Sequence, residues 1–187
     1  MTPSRDTLLR VVLPIIGVVI VIIVARQRNM SFTRDLGLRL PSWESALMWL
    51  VLFVALVVIE EWLSNAWGLP KPAPWSVKYH GLTKVIRVLA LVLIAPISEE
   101  LVFRGTLYHL VSTTRLRDAG AILITALIFA AFHYQYSPRE VLLILADGLF
   151  FGVVRYTTGS TVLTIALHML GNSYAAYQRL FPMALLR

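Results

Sequence analysis

The sequence predicts an all-α, polytopic membrane bundle of about six transmembrane helices. Three observations lead there. First, 58% of the 187 residues are hydrophobic and 14% charged, with a mean hydropathy of +0.74, against ~45–50% apolar and ~25% charged in a soluble domain. Second, the apolar residues fall into runs near the ~20 residues a span needs, joined by short polar connections. Third, Glu99, Glu100, Arg104, His133, His168 and Asn172 sit inside those runs. A charge near mid-bilayer costs at least ~2.5–3.5 kcal/mol, so such residues face a protein interior or water and carry function.

In chain order, the first span is Val11 to Ala25, preceded by Arg5 and Arg10. That layout is shared by signal peptides, but Ile23-Val24-Ala25 is a poor small-x-small cleavage site, so a retained span with Arg10 snorkelling is expected. A basic linker with Arg26, Arg28, Arg34 and Arg39 leads to Pro41-Ser42, which opens a second span from Trp43 to about Trp62. Trp43, Trp49, Trp62 and Trp67 are placed as interfacial aromatics. Pro70, Pro72 and Pro74 with Lys71 and Lys78 make residues 64–79 a loop lying at the interface.

The third span runs from about Val85 to Val111. Pro96 removes one backbone hydrogen bond just ahead of Glu99-Glu100, so a local break is expected there, tolerated only inside protein or beside water. Arg115, Arg117 and Asp118 mark a connection, Ala119 to Phe132 a fourth span ending at His133, and Ser137-Pro138 a further stop. Val141 to Val154 is the fifth span, Thr157-Thr158-Gly159-Ser160 a turn, and Thr161 to about Leu180 the sixth. The expectation is a single integral-membrane domain over residues 1–187, with the motif-bearing helices within 85–180.

The net charge of +7 would suggest nucleic acid in a soluble protein. Here the basic residues sit between apolar runs and form no stripe interleaved with aromatics, so they read as anchors to anionic headgroups and no nucleic-acid partner is expected. Arg26, Arg28, Arg34, Arg39, Arg115, Arg117 and Arg155 fall on one side, and Arg5, Arg10, Lys71, Lys78, Lys84, Arg139, Arg179 and Arg187 on the other. The positive-inside rule does not separate them. With no cysteine, disulfides, thiol catalysis and cysteine-ligated metals are excluded.

The polar residues inside the spans have helical spacing. Glu100 reaches Arg104 one turn on, while Glu99 points roughly 100° away round the axis, leaving Glu99 as the carboxylate available to take a proton from water. His133 lies four residues after Phe129, and His168 four before Asn172, so each pair shares a face. A histidine holds a water, and histidine with an asparagine amide stabilises an oxyanion. Each signal has a plainer reading when taken alone: Glu99-Glu100 with Arg104 as a structural ion-pair knot, His133 beside Tyr134 and Tyr136 as an interfacial histidine, His168 and Asn172 as interhelical glue. His80 and His109 belong to no motif and read as loop or helix-end residues.

Glu99-Glu100-Leu101-Val102-Phe103-Arg104, Phe129-Ala130-Ala131-Phe132-His133 and His168-Met169-Leu170-Gly171-Asn172 resemble, in order, the EExxxR, FxxxH and HxxxN motifs of the CAAX-protease and bacteriocin-processing intramembrane peptidases. Thr158-Gly159-Ser160 is also similar to that family's approach to its third motif. The resemblance covers residues 99–172. It implies an intramembrane endopeptidase in which Glu99 activates water, His133 holds it, and His168 with Asn172 stabilises the oxyanion. Glu100 counts with these catalytic candidates in a mainly orienting part, and Arg104 and Phe129 would be structural or orienting.

No cofactor is expected on the glutamic-type reading; the alternative is a metallo-type enzyme with zinc held by Glu99, His133 and His168, three ligands plus water. No HExxH is present to make metal the default. The absence of a GxSxG elbow, a GxGD motif and cysteine disfavours the other intramembrane protease classes. Asp147 in the fifth span departs from the family pattern and is expected either to pair with Arg104 or Arg155 or to line the substrate path. The alternative function is a non-proteolytic peptide-binding protein of the immunity or scaffold kind; a transporter would show inverted repeats, and none is visible. The expected partners are a membrane-tethered peptide or protein C-terminal tail and the bilayer, in a prokaryotic inner membrane, with a short tethered peptide favoured over a prenylated one.

Overall fold

Six helices follow one another in the computed structural model, which describes residues 2–181: α1 (Pro3–Gln27), α2 (Trp43–Ala66), α3 (81–112), α4 (Arg117–Ala131), α5 (Pro138–Thr158) and α6 (Thr161–Leu180). No strand occurs among the described residues, and Arg187 lies outside them. Most starts are set by hydroxyl caps. Thr2, Ser42 and Ser160 accept backbone N–H groups of α1, α2 and α6, and Ser137 forms a reciprocal capping box with Glu140 at α5.

The helix α3 is continuous where a break was expected at Pro96. Its ordinary turns give way to two wide ones, Ala90–Ile94 and Leu101–Leu107, on either side of the Glu99-Glu100 pair. Widened turns of this kind often occur at functional sites, and they absorb the missing proline N–H without ending the helix.

Three helices are long and apolar enough to cross a bilayer, over Ser4–Gln27, Trp43–Ala66 and Pro138–Thr158. The others fall short for physical reasons. The wide turns leave α3 without a long stretch of regular turns, α4 has 15 residues, and α6 spends positions on His168, Asn172, Ser173 and Gln178. The outward faces of α1 and α2 carry exposed Leu13, Ile16, Ile20, Leu47, Val51 and Val58, the inverse of a soluble surface. This is a helical membrane bundle.

Two apolar cores flank the site. Trp49 and Phe53 of α2 pack with Phe151, Val154, Leu163 and Leu167 of α5 and α6. Val21 and Ala25 of α1 pack with Met30 and Leu36. Trp49 is therefore not an interfacial anchor; it is buried and meets Phe150 edge-on at 5.3 Å. The helix α1 docks on α3 through Ser98 Oγ, which donates to Pro14 O at 2.8 Å.

The basic linker also does more than face headgroups. Arg39 donates to Gly159 O and Thr158 O at 3.1 and 3.0 Å. Gly159 has φ +64, and a Cβ there would collide with the Arg39 guanidinium, so the αL cap of α5 requires glycine. Thr161 N and Oγ1 donate to Gly37 O and Leu36 O, and Ser160 Oγ to Arg39 O. Asp35 holds this segment's own turn: the Arg34 guanidinium and the Ser31 N–H keep its carboxyl below the ordinary carboxylate range. Arg155 closes the latch from α5, donating to Asp35 O at 3.0 Å and Arg104 O at 3.1 Å.

The helices α4 and α5 approach closely because Gly148 and Gly152 face Ala126 and Ile122. A Cβ on Gly148 would lie 3.0 Å from Ala126 Cα, the contact that small residues permit between membrane helices. Replacing Gly148 with leucine is expected to destabilise the protein by about 1–3 kcal/mol through overpacking, measured by thermal unfolding in detergent. Unchanged stability would show that the pair has room to spare.

Candidate active site

Glu100 is the centre of the polar interior. Its Oε1 accepts from Arg104 at 3.0 Å, one turn along α3, and from His168 Nδ1 of α6 at 2.9 Å. Arg104 also donates to Gly148 O of α5 at 2.9 Å. Glu100 and Arg104 are both fully enclosed. The Arg104 guanidinium lies 4.7 Å from the Phe129 ring centroid and 5.4 Å from that of Phe151, so its remaining surface meets aromatic faces. One ion pair thus ties α3, α5 and α6 together.

The two glutamates divide as their spacing predicts. Glu100 has no exposure, whereas the Glu99 side chain keeps 32%, enough for water to reach it. Glu99 Oε2 lies 3.7 Å from His168 Nε2. The imidazole of His168 therefore sits between the carboxylates, one at each nitrogen. Phe151 stacks on it at 5.3 Å and Phe129 meets it edge-on at 6.0 Å, which fixes the ring plane. Because the ionised Glu100 carboxylate only accepts, Nδ1 carries the proton, and Nε2 is the nitrogen turned to Glu99.

His133 stands in the turn after α4, where its Nδ1 donates to Phe129 O at 2.8 Å. A carbonyl fixes this tautomer too, leaving Nε2 free. The Phe129 and His133 rings are 4.8 Å apart, so the FxxxH spacing makes Phe129 a double support for His133. Glu99 and His133 line one cavity of about 620 Å³ between α1, α3 and α4. His133, His168 and Asn172 line a second of about 310 Å³.

Asn172 has a partner that its spacing does not announce. In the first wide turn Ala95 N bonds Ala90 O; the next bond in that register would run from residue 96 to Leu91 O, but Pro96 has no N–H. Asn172 Nδ2 donates to Leu91 O instead, at 2.9 Å. One of the two amide hydrogens is thereby committed to the backbone.

Asp147 pairs with neither Arg104 nor Arg155. It lines the smaller cavity together with Glu60 of α2, a residue the sequence reading passed over. Its only sequence signal was an acid inside an apolar run. His80 is the residue ahead of α3 and His109 lies in its last turns, away from the cluster. Among the described residues no three His, Asp or Glu side chains come together at metal-ligand spacing.

Asn172→Leu is expected to leave Leu91 O unpaired and cost about 1–3 kcal/mol. Pro96→Ala restores an N–H in register, so the double variant should recover part of that loss in a thermal-unfolding cycle. Additive losses would sink the account.

No solved structure matches the chain. The chain is 33% identical over 132 residues to an uncharacterized 24.3 kDa protein of Escherichia coli, covering 65% of this chain and 58% of that protein. It thus spans less than two thirds of that relative's length. Residues 80–174 match the family described as type II CAAX prenyl endopeptidase Rce1-like, a stretch that holds all three motifs and the whole cluster around Glu100. The chain belongs to that family.

Proposed function

We propose that the protein is an intramembrane endopeptidase that hydrolyses a peptide bond in a membrane-tethered or C-terminal-tail substrate, using Glu99 to activate water. The observation that carries this is the placing of His168 Nε2 3.7 Å from Glu99 Oε2, with the partly open carboxylate and the free nitrogen of His133 on one cavity. Family membership supports the reaction class, the three long apolar helices support a bilayer setting, and we place the protein in a prokaryotic inner membrane.

In the proposed reaction a water sits between Glu99 and His133, with His133 Nε2 accepting one of its hydrogens. Glu99 takes the other proton as the oxygen attacks the scissile carbonyl carbon. The second Nδ2 hydrogen of Asn172, joined by His168 when its Nε2 is protonated, stabilises the oxyanion. Collapse of the tetrahedral intermediate breaks the C–N bond, and Glu99 returns its proton to the leaving amine. Glu100 and Arg104 take no proton; they hold the His168 ring between the two glutamates.

Glu99→Gln is expected to lower cleavage of membrane-tethered peptides by the purified protein by about 10²–10⁴-fold with folding intact, while wild-type activity survives a strong chelator. Cleavage by Glu99→Gln at the wild-type rate would remove Glu99 as the base. Loss on chelation would assign the water to a metal.

A further inference from the structure

Glu60 and Asp147 bring two carboxyls to one cavity, and the reaction above uses neither. They come from α2 and α5 and line the cavity of about 310 Å³ that also carries His133, His168 and Asn172. They lie within electrostatic reach of one another. Neither forms an ion pair among the described residues, and Glu60 Oε1 is wholly enclosed with no hydrogen-bond partner.

Nearby cations are spent elsewhere. Arg104 is held by Glu100 and Gly148 O, and Arg155 by Arg104 O and Asp35 O. The adjacent Glu61 shows the contrast, since Lys71 reaches it at 2.9 Å and Gln178 at 3.1 Å. Unpaired carboxyls in membrane-spanning helices are expensive and mark a substrate or ion path. A cation supplied from outside the chain would meet two carboxyls that no cation of the described residues occupies.

We propose that this cavity is the subsite for a lysine or arginine side chain of the tethered peptide, with Glu60 and Asp147 as the specificity-determining residues. The inference rests on the peptidase reading. The larger cavity beside Glu99 is walled mainly by apolar side chains and shares Phe129 and His133 with the acidic one. A peptide crossing from one to the other passes the water site, with apolar residues on the Glu99 side and the basic residue beyond His133. A cavity of about 310 Å³ is about 7 Å across, the reach of about two extended residues, so the basic residue falls next to the scissile bond or one position further. Paired carboxylates give such a cation two charge-assisted hydrogen bonds.

The test uses the full-length protein in detergent and fluorescent membrane-tethered peptides carrying lysine or glutamine at each position flanking the cleaved bond. Cleavage is read with wild type and binding with Glu99→Gln. At one position, or two adjacent ones, lysine should be favoured by about tenfold or more, the size of one charge-assisted hydrogen bond. That lysine-to-glutamine ratio should fall towards one when E60Q and D147N are combined, with each single change intermediate. Because the ratio is taken within each protein, a general loss of activity cancels. Equal treatment of lysine and glutamine at every position, or a ratio that survives E60Q/D147N, overturns the proposal. A lysine preference in binding without cleavage overturns the peptidase reading and leaves the subsite. Glu99-dependent cleavage without the preference does the reverse, and failure of every peptide to bind overturns both.

Discussion

The ion pair between Glu100 and Arg104 is the constraint on which the rest of the interior depends. Neither side chain touches solvent, and a buried charge without its partner is strongly destabilising, so each fixes where the other's helix must lie. The same Glu100 oxygen that meets Arg104 also accepts from His168. Arg104 also donates to the Gly148 carbonyl of α5, and the missing side chain at residue 148 lets α4 pack closely against that same stretch. The position of His168 relative to Glu99 follows from these contacts and is not set by a hydrogen bond between the two side chains.

Much of this was legible in the sequence because helical periodicity converts spacing into facing. Four residues separate Glu100 from Arg104, Phe129 from His133 and His168 from Asn172, and each member of those pairs lies at the cluster. The different surroundings of Glu99 and Glu100 were legible for the same reason. Apolar run lengths gave six helices, and the hydroxyl residues ahead of four of them marked their starts.

The rest was hidden because it depends on contacts across the sequence. Pro96 reads locally as a break, and nothing near it says that Asn172, on another helix, will take the orphaned carbonyl. Arg39 and Arg155 read as surface charges because their acceptors are backbone carbonyls, which carry no sequence signal. Trp49 sits one turn inside a span, where interface and core are separated only by which face it takes. Glu60 belongs to no motif and stands beside Glu61 in the sequence, and only the fold brings it to the cavity of Asp147.

The latch between residues 35–39 and the α5–α6 turn joins guanidinium groups to carbonyl oxygens. The acceptors belong to the main chain, so a substitution at Asp35 or Thr158 leaves the accepting oxygen of its contact in place, whereas nothing on the backbone replaces the Arg39 or Arg155 guanidinium. The turn that carries α6 and its histidine therefore tolerates change on the accepting side of the latch and not on the donating side.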